Sequence, residues 1–181
     1  MKGRVFTELF EHVEKRYGAD MVDDIIDAAK LSHDGVYTST GSYPFEEMVS
    51  LVKALVAATG QSLPAVLEPF GTHCFESWVS YAPQYFSRDR SLFDILEGID
   101  EFHEVEVRKL YPDAELPSFV PETRSSQALT LGYYSCKPLV PLALGVIRGA
   151  AAHVEQDVTL TCEPAMGPRG PYTRIYVNLT Q

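Results

Sequence analysis

The chain has 181 residues, 45% of them apolar and 22% charged, with a formal net charge of −10. This is a globular composition long enough for one domain, and its acidic balance excludes nucleic acid and anionic membrane as partners, because both demand clustered Lys and Arg. Three widely spaced cysteines, Cys74, Cys136 and Cys162, form no CxxC pair and fit a reducing cytoplasm; the charged N-terminus does not read as a signal peptide, and no apolar run is long enough to span a bilayer.

The first two thirds read as helices. Val5, Phe6, Leu9, Phe10 and Val13 recur at helical spacing, and Val22, Ile25, Ile26 and Ala29 do so after a turn at Tyr17-Gly18. Asp34 to Pro44 is a loop, with an extended piece expected at Val36 to Thr38. Ser42 is the expected cap of the next helix, with Pro44 in its first turn and Glu46 and Glu47 near the positive end of its dipole. That helix runs to about Ala58 and stops at Gly60. Ser62 then caps a helix reaching roughly Val79, which Pro69 and Gly71 should kink or interrupt. A longer helix covers about Ser91 to Tyr111 and stops at Pro112.

Beyond Val120 the pattern changes. Ser126 to Tyr134 alternates as a strand, with Pro138 as its stop. A helix from Pro141 to about Val154 follows. Asp157 to Glu163 and Tyr172 to Leu179 are strands joined by the turn-rich stretch Pro164 to Pro171. Helices followed by a C-terminal sheet make an α+β protein.

Leu92, Leu96, Ile99, His103, Val107 and Leu110 fall on one stripe of the helix over Ser91 to Tyr111. His103 therefore points inward, where a Leu is expected. A buried imidazole left unsatisfied costs roughly 1–3 kcal/mol. Two readings stand: a core histidine bonded to a carbonyl, or a metal ligand acting through a neutral ring nitrogen. With no second His, Cys or carboxylate on the stripe, zinc is poorly served. One axial His is sufficient for heme iron, because the porphyrin supplies four nitrogens. Heme also brings two propionates to anchor. Tyr133, Ser135 and Lys137 stand two residues apart and in an extended chain share a face with Leu129 and Leu131. Two hydroxyls and a cation at the end of an apolar face suit two carboxylates at a pocket mouth.

With these residues the sequence resembles the heme nitric oxide/oxygen binding (H-NOX) domain family, the sensor domain also found in soluble guanylate cyclase. The resemblance rests on His103 in "HEVEVRKLYPDAELPSF" and on Tyr133-Tyr134-Ser135-Cys136-Lys137, which matches the family's Tyr-x-Ser-x-Arg. The opening Met1 to Phe10, the loop Asp34 to Pro44 and the helix Leu67 to Trp78 join them. It implies a single sensor domain over residues 1–181: a helical lobe of about 1–62, and a C-terminal lobe of about 63–181 with helices and an antiparallel sheet of about four strands. One heme b is implied between the lobes. His103 would be the axial iron ligand, and Tyr133, Ser135 and Lys137 would hold the propionates. Val5, Leu9, Cys74, Trp78, Ile99, Pro117, Leu142 and Val146 would line the heme, with Leu142 where oxygen-binding members carry a distal Tyr. Lys137 replaces the motif's Arg, giving a point charge in place of a bidentate fork. Some bacterial members bind zinc in the C-terminal lobe; here Pro141, Ala165 and Thr173 leave only Cys162 as a ligand, so no zinc is expected there.

The implied function is that of a stand-alone cytoplasmic sensor, not an enzyme. It would bind nitric oxide and CO at ferrous heme, discriminate against oxygen, and report to a separate histidine kinase or cyclic-di-GMP enzyme. The alternatives are a heme-free or thiol-redox scaffold of the same fold, or a heme or thiol enzyme. His73 and Cys74 are adjacent on a helix and point about 100° apart, which disfavours a nucleophilic pair. Cys136 alternates away from Tyr133 and reads as structural or as an exposed redox thiol. His12, His33 and His153 read as surface residues, and Val22 to Ala29 as a solvated acidic face. No glycine-rich phosphate loop, carboxylate pair or Ser/His/Asp constellation stands out.

Overall fold

The computed structural model describes residues 1–137 and 139–180; the strand stop read at Pro138 lies outside them. Helices α1 (Gly3–Tyr17), α2 (Ala19–Ala29), α3 (Phe45–Thr59) and α4 (Leu63–Tyr81) come first. The apolar stripe of α1 buries Phe6, Leu9 and Val13 completely, and α2 and α3 add Ile25, Leu51 and Leu55. Val66, Leu67, Phe70 and Cys74 of α4 complete this cluster. Asp23, Asp24 and Asp27 face solvent. Gly60 ends α3 with φ 66°, and the Ser62 hydroxyl caps α4 by accepting from Ala65 N. Ser42 does not cap α3; Pro44 holds that position with no side-chain bond. Ser42 instead accepts from Lys2 Nζ at 2.6 Å and pairs with Lys2 in an isolated bridge. The loop's extended pairing is spent there, and Val36 to Thr38 form no strand.

A broken helical run replaces the single helix expected next. It consists of α5 (Leu92–Glu97), α6 (Ile99–Phe102), a π-helical turn (His103–Val107) and α7 (Arg108–Leu110). Ser91 caps it by accepting from Asp94 N at 3.2 Å. The π turn takes more residues per turn than an α-helix and so rotates the stripe beyond it. Val107 is consequently only half-buried, and Leu110 is 54% exposed rather than inward.

Strands β1 (Ser118–Arg124), β2 (Ala128–Tyr134), β3 (Val158–Gly167) and β4 (Gly170–Leu179) form one antiparallel sheet in the order β1-β2-β4-β3. Helix α8 (Val140–His153) lies between β2 and β3 in sequence. Sequence pattern misses β1 because Pro121 interrupts it. Proline is tolerated because β1 is an edge strand whose register shifts between Pro121 and Thr123. The strands β3 and β4 extend well into the expected connection, leaving Pro168 and Arg169 as the turn between the paired Gly167 and Gly170. β2 ends at Tyr134, so Ser135 and Lys137 lie past the strand. Leu129, Leu131, Tyr133, Ile175 and Val177 of the sheet pack with Ile95, Leu96 and Ile99 and with Ile147 and Ala150 of α8 as a second cluster.

Helix α4 joins the two clusters. It runs unbroken through Pro69 and Gly71. A Cβ at Gly71 would overlap Leu142 O on α8, and one at Gly145 would overlap Glu68 O on α4. The two backbones thus touch where they cross, and Thr72 Oγ1 donates to Gly145 O at 3.1 Å. Above the crossing Phe75 turns into the second cluster. The substitution Gly145→Ala should force the helices apart and destabilise the protein by about 1–3 kcal/mol. A thermal melt should then fall by several degrees, while Ala152→Ser on the exposed face of α8 should stay within about 0.5 kcal/mol of the parent.

Candidate functional site

His103 stands at the first position of the π turn and is 4% exposed. Leu96 and Ile99, both fully buried, continue the stripe that carries it inward. Its Nδ1 lies 3.2 Å from Pro117 O. A carbonyl only accepts, so Nδ1 carries the proton and Nε2 holds a lone pair. Among the described residues Nε2 has no hydrogen-bond partner. Burial holds the imidazole pKa below its usual value, against the opposing pull of Asp100 and the Pro117 carbonyl. Asp100, one turn earlier, accepts from Ser118 Oγ at 2.5 Å and from Phe119 N at 2.7 Å. The helical run is therefore pinned to the start of β1 at Asp100 and at His103 itself. A neutral ring with a fixed tautomer and a free nitrogen has the properties of a metal ligand.

The β1–β2 register brings the second group beside this one. Ser118 pairs with Tyr134 and Phe119 with Tyr133. Tyr133 is 5% exposed; burial raises the pKa of its phenol, partly offset by the neighbouring Ser135 hydroxyl. Lys137 reaches this place by a turn, not by strand alternation: its backbone N donates to Ser135 Oγ at 3.1 Å. Its ammonium is already paired with Glu115 Oε2 at 2.6 Å, and lies 5.9 Å from the Phe45 ring of the helical lobe. Sequence reading missed Glu115, a carboxylate competing for this cation. Its signal was its place in the "DAELPSF" segment that leads to Pro117.

The remaining residues come from both lobes. Val5, Leu9, Cys74 and Leu142 belong to the helical cluster, and Ile99 and Val146 to the sheet cluster. Trp78 of α4 packs on both. Its ring meets that of His103 edge-on, with centroids 5.4 Å apart at 81°, and lies 5.3 Å from Phe102. This is direct aromatic contact, so a porphyrin ligated at Nε2 has to share or displace it. Among the described residues the indole N–H has no acceptor. The donor set fits heme: one neutral imidazole, an apolar surround, and two hydroxyls and an ammonium nearby.

Three expectations about other residues are corrected. His12 is 7% exposed, not a surface residue, because the inner face of α1 rests on Phe70 and His73 of α4. His153 is half-buried and its Nε2 bonds Phe86 O at 2.7 Å. Cys136 is exposed rather than structural, with Lys137 Nζ 3.4 Å from its sulfur. Cys74 is buried, which raises its thiol pKa and leaves it protonated.

The chain matches the Haem-NO-binding family over residues 2–162. A comparison with curated proteins found no match. Among solved structures it is similar to the Fe(II) unliganded H-NOX protein from K. algicida, with a TM-score of 0.87 and 34% identity over 100% of this chain and 97% of that one. It shares its fold with the S. oneidensis H-NOX protein in the Fe(II)NO state, at TM-score 0.86 and 24% identity over 100% of both chains. The fold is also that of an oxygen-binding H-NOX domain related to soluble guanylate cyclases, at TM-score 0.81 and 19% identity over 100% of this chain and 96% of that one. H-NOX domains are heme-binding gas-sensor domains rather than enzymes. The buried His103, the four-stranded antiparallel sheet and these matches lead to one conclusion: the chain belongs to the Haem-NO-binding (H-NOX) family.

Proposed function

We propose that the chain holds one heme b between its two clusters, with His103 Nε2 as the only protein ligand. In this reading it binds nitric oxide and CO, does not retain oxygen, and signals to a separate cytoplasmic partner such as a histidine kinase or a cyclic-di-GMP enzyme. The observation that carries the proposal is the buried, tautomer-fixed His103 with an unpartnered Nε2. No single helix is long and apolar enough to cross a membrane among the described residues.

Bound heme would supply a ferrous iron able to take up a gas, with His103 holding it. The protein's part is to position and to transmit. Tyr133, Ser135 and Lys137 would hold the propionates, with Lys137 exchanging its bond to Glu115 for one of them. Leu142 offers no hydrogen bond on the distal side, and a thiol such as Cys74 is a weak donor. Of the described residues read as lining that side, Trp78 alone has a good donor, its indole N–H, for the partial negative charge that oxygen acquires. Displacement of the His103 ring would pass through Pro117 and Asp100 into β1, giving a two-state element that a partner can read.

Replacing His103 with Gly should abolish the five-coordinate histidyl ferrous spectrum, and added imidazole should restore it. An unchanged spectrum would exclude His103 as the ligand. The propionate clamp predicts heme-loss rates. A charge-assisted hydrogen bond contributes about 1.5–3 kcal/mol, so Lys137→Ala should speed heme loss about ten- to a hundredfold and Ser135→Ala less. Lys137→Arg and Glu115→Gln should each slow it, the first by restoring the fork and the second by freeing the ammonium. Equal rates in all four variants and the parent would contradict the clamp. Ferrous protein in air should show no lasting oxygen spectrum, and Leu142→Tyr is the change expected to create one. A parent that retains oxygen, and loses it on Trp78→Phe, would identify Trp78 as a functioning donor.

A further inference from the structure

A second cluster of ligand-type side chains lies between α1 and α4, outside the heme-site residues. Glu8 and Glu11 are one turn apart on α1, and His73 faces them from α4; their ligand atoms all lie within 4.8 Å of one another. Glu8 is 6% exposed. One of its oxygens is fully engaged, accepting from Arg4 Nε at 2.9 Å and Ser77 Oγ at 2.6 Å. The other, Oε2, lies 3.2 Å from His73 Nε2. Both of these atoms are buried, yet neither makes an aligned hydrogen bond.

This separation is only slightly shorter than that between two ligands of one ion. Ligand atoms about 2.0–2.2 Å from a tetrahedral zinc stand roughly 3.3–3.6 Å apart. We propose that Glu8, Glu11 and His73 form a divalent transition-metal site that clamps α1 to α4. Two carboxylates and an imidazole make a three-ligand set that leaves a position for water. Arg4 and Ser77 fix the Glu8 carboxylate from behind, as partners of metal ligands do. The surrounding charges allow a cation. The neighbouring His12 is buried against Phe70 and His73. Lys15 and Arg148 are paired with Glu76 and Glu68, and Arg16 donates to Tyr17 Oη. A groove of about 650 Å³ reaches His73 between Lys15, Arg16, Glu76 and Arg148, and Glu11 is itself exposed at the edge of the cluster. The clamp lies in the helical part of the molecule, away from the C-terminal position where no zinc is expected. It joins the two helices that carry Val5, Leu9, Cys74 and Trp78, and it does not require heme.

Zinc uptake by the chelator-treated full chain, measured by competition with a chromophoric chelator, tests it. One equivalent should bind, and the melting temperature should rise with zinc. Glu8→Gln and His73→Ala should each weaken binding at least tenfold and remove the thermal shift. Glu11→Gln, at an exposed position that leaves the fold intact, should also weaken it at least tenfold. Cobalt in place of zinc should give visible bands without thiolate charge transfer. Parent-like affinity in Glu11→Gln, or a thiolate band from Cys136 or Cys162, would overturn the proposal. Because the readouts are independent of heme, their failure leaves the gas-sensing reading untouched.

Discussion

The bond between His103 Nδ1 and the Pro117 carbonyl is the contact on which the rest of the site depends. It uses one ring nitrogen and thereby defines the other as a lone pair. Burial holds its pKa below the usual value, which favours the neutral ring that a metal ligand has to be. Asp100 repeats the tie to β1 through Ser118 and Phe119. The histidine is thus held at the entry to the edge strand of the sheet, whose neighbour β2 carries Tyr133 and ends one residue before Ser135. In the proposed reading, ligand and anchors would share one frame, which is the condition for a site whose geometry has to persist.

The two hydrophobic clusters are joined at a second constraint, the crossing of α4 and α8. Glycines at 71 and 145 let the backbones touch, and this close approach lets Cys74 and Trp78 on one helix and Leu142 and Val146 on the other reach a common region. The metal clamp inferred between Glu8, Glu11 and His73 would act on the same helix from its other side. α4 is then the element through which the helical lobe and the heme-binding region would influence each other.

Much of this was legible in the sequence because it is local. The inward His103 followed from spacing at three and four residues, and the Gly60 and Ser62 boundaries followed from backbone and capping chemistry. What escaped is tertiary. Edge position rescues Pro121, so β1 was invisible to alternation. The π turn rotates Leu110 into solvent, which a fixed period cannot foresee. Glu115 reaches Lys137 across 22 residues, and His12 is buried only because α4 lies over it. The hydroxyl and ammonium groups were read as one strand face, whereas the strand ends at Tyr134 and a turn brings them near one another.

The central claim is that His103 is held as the Nδ1–H tautomer and ligates heme through Nε2. Nitrogen NMR of protein labelled at histidine, recorded without heme and with CO-loaded heme, tests it most directly. The account predicts a protonated Nδ1 on His103 in both samples, with Nε2 of that residue alone shifting to a metal-bound value. A protonated Nε2 on His103, or a metal-bound shift at His12, His33, His73 or His153 on adding heme, would contradict it.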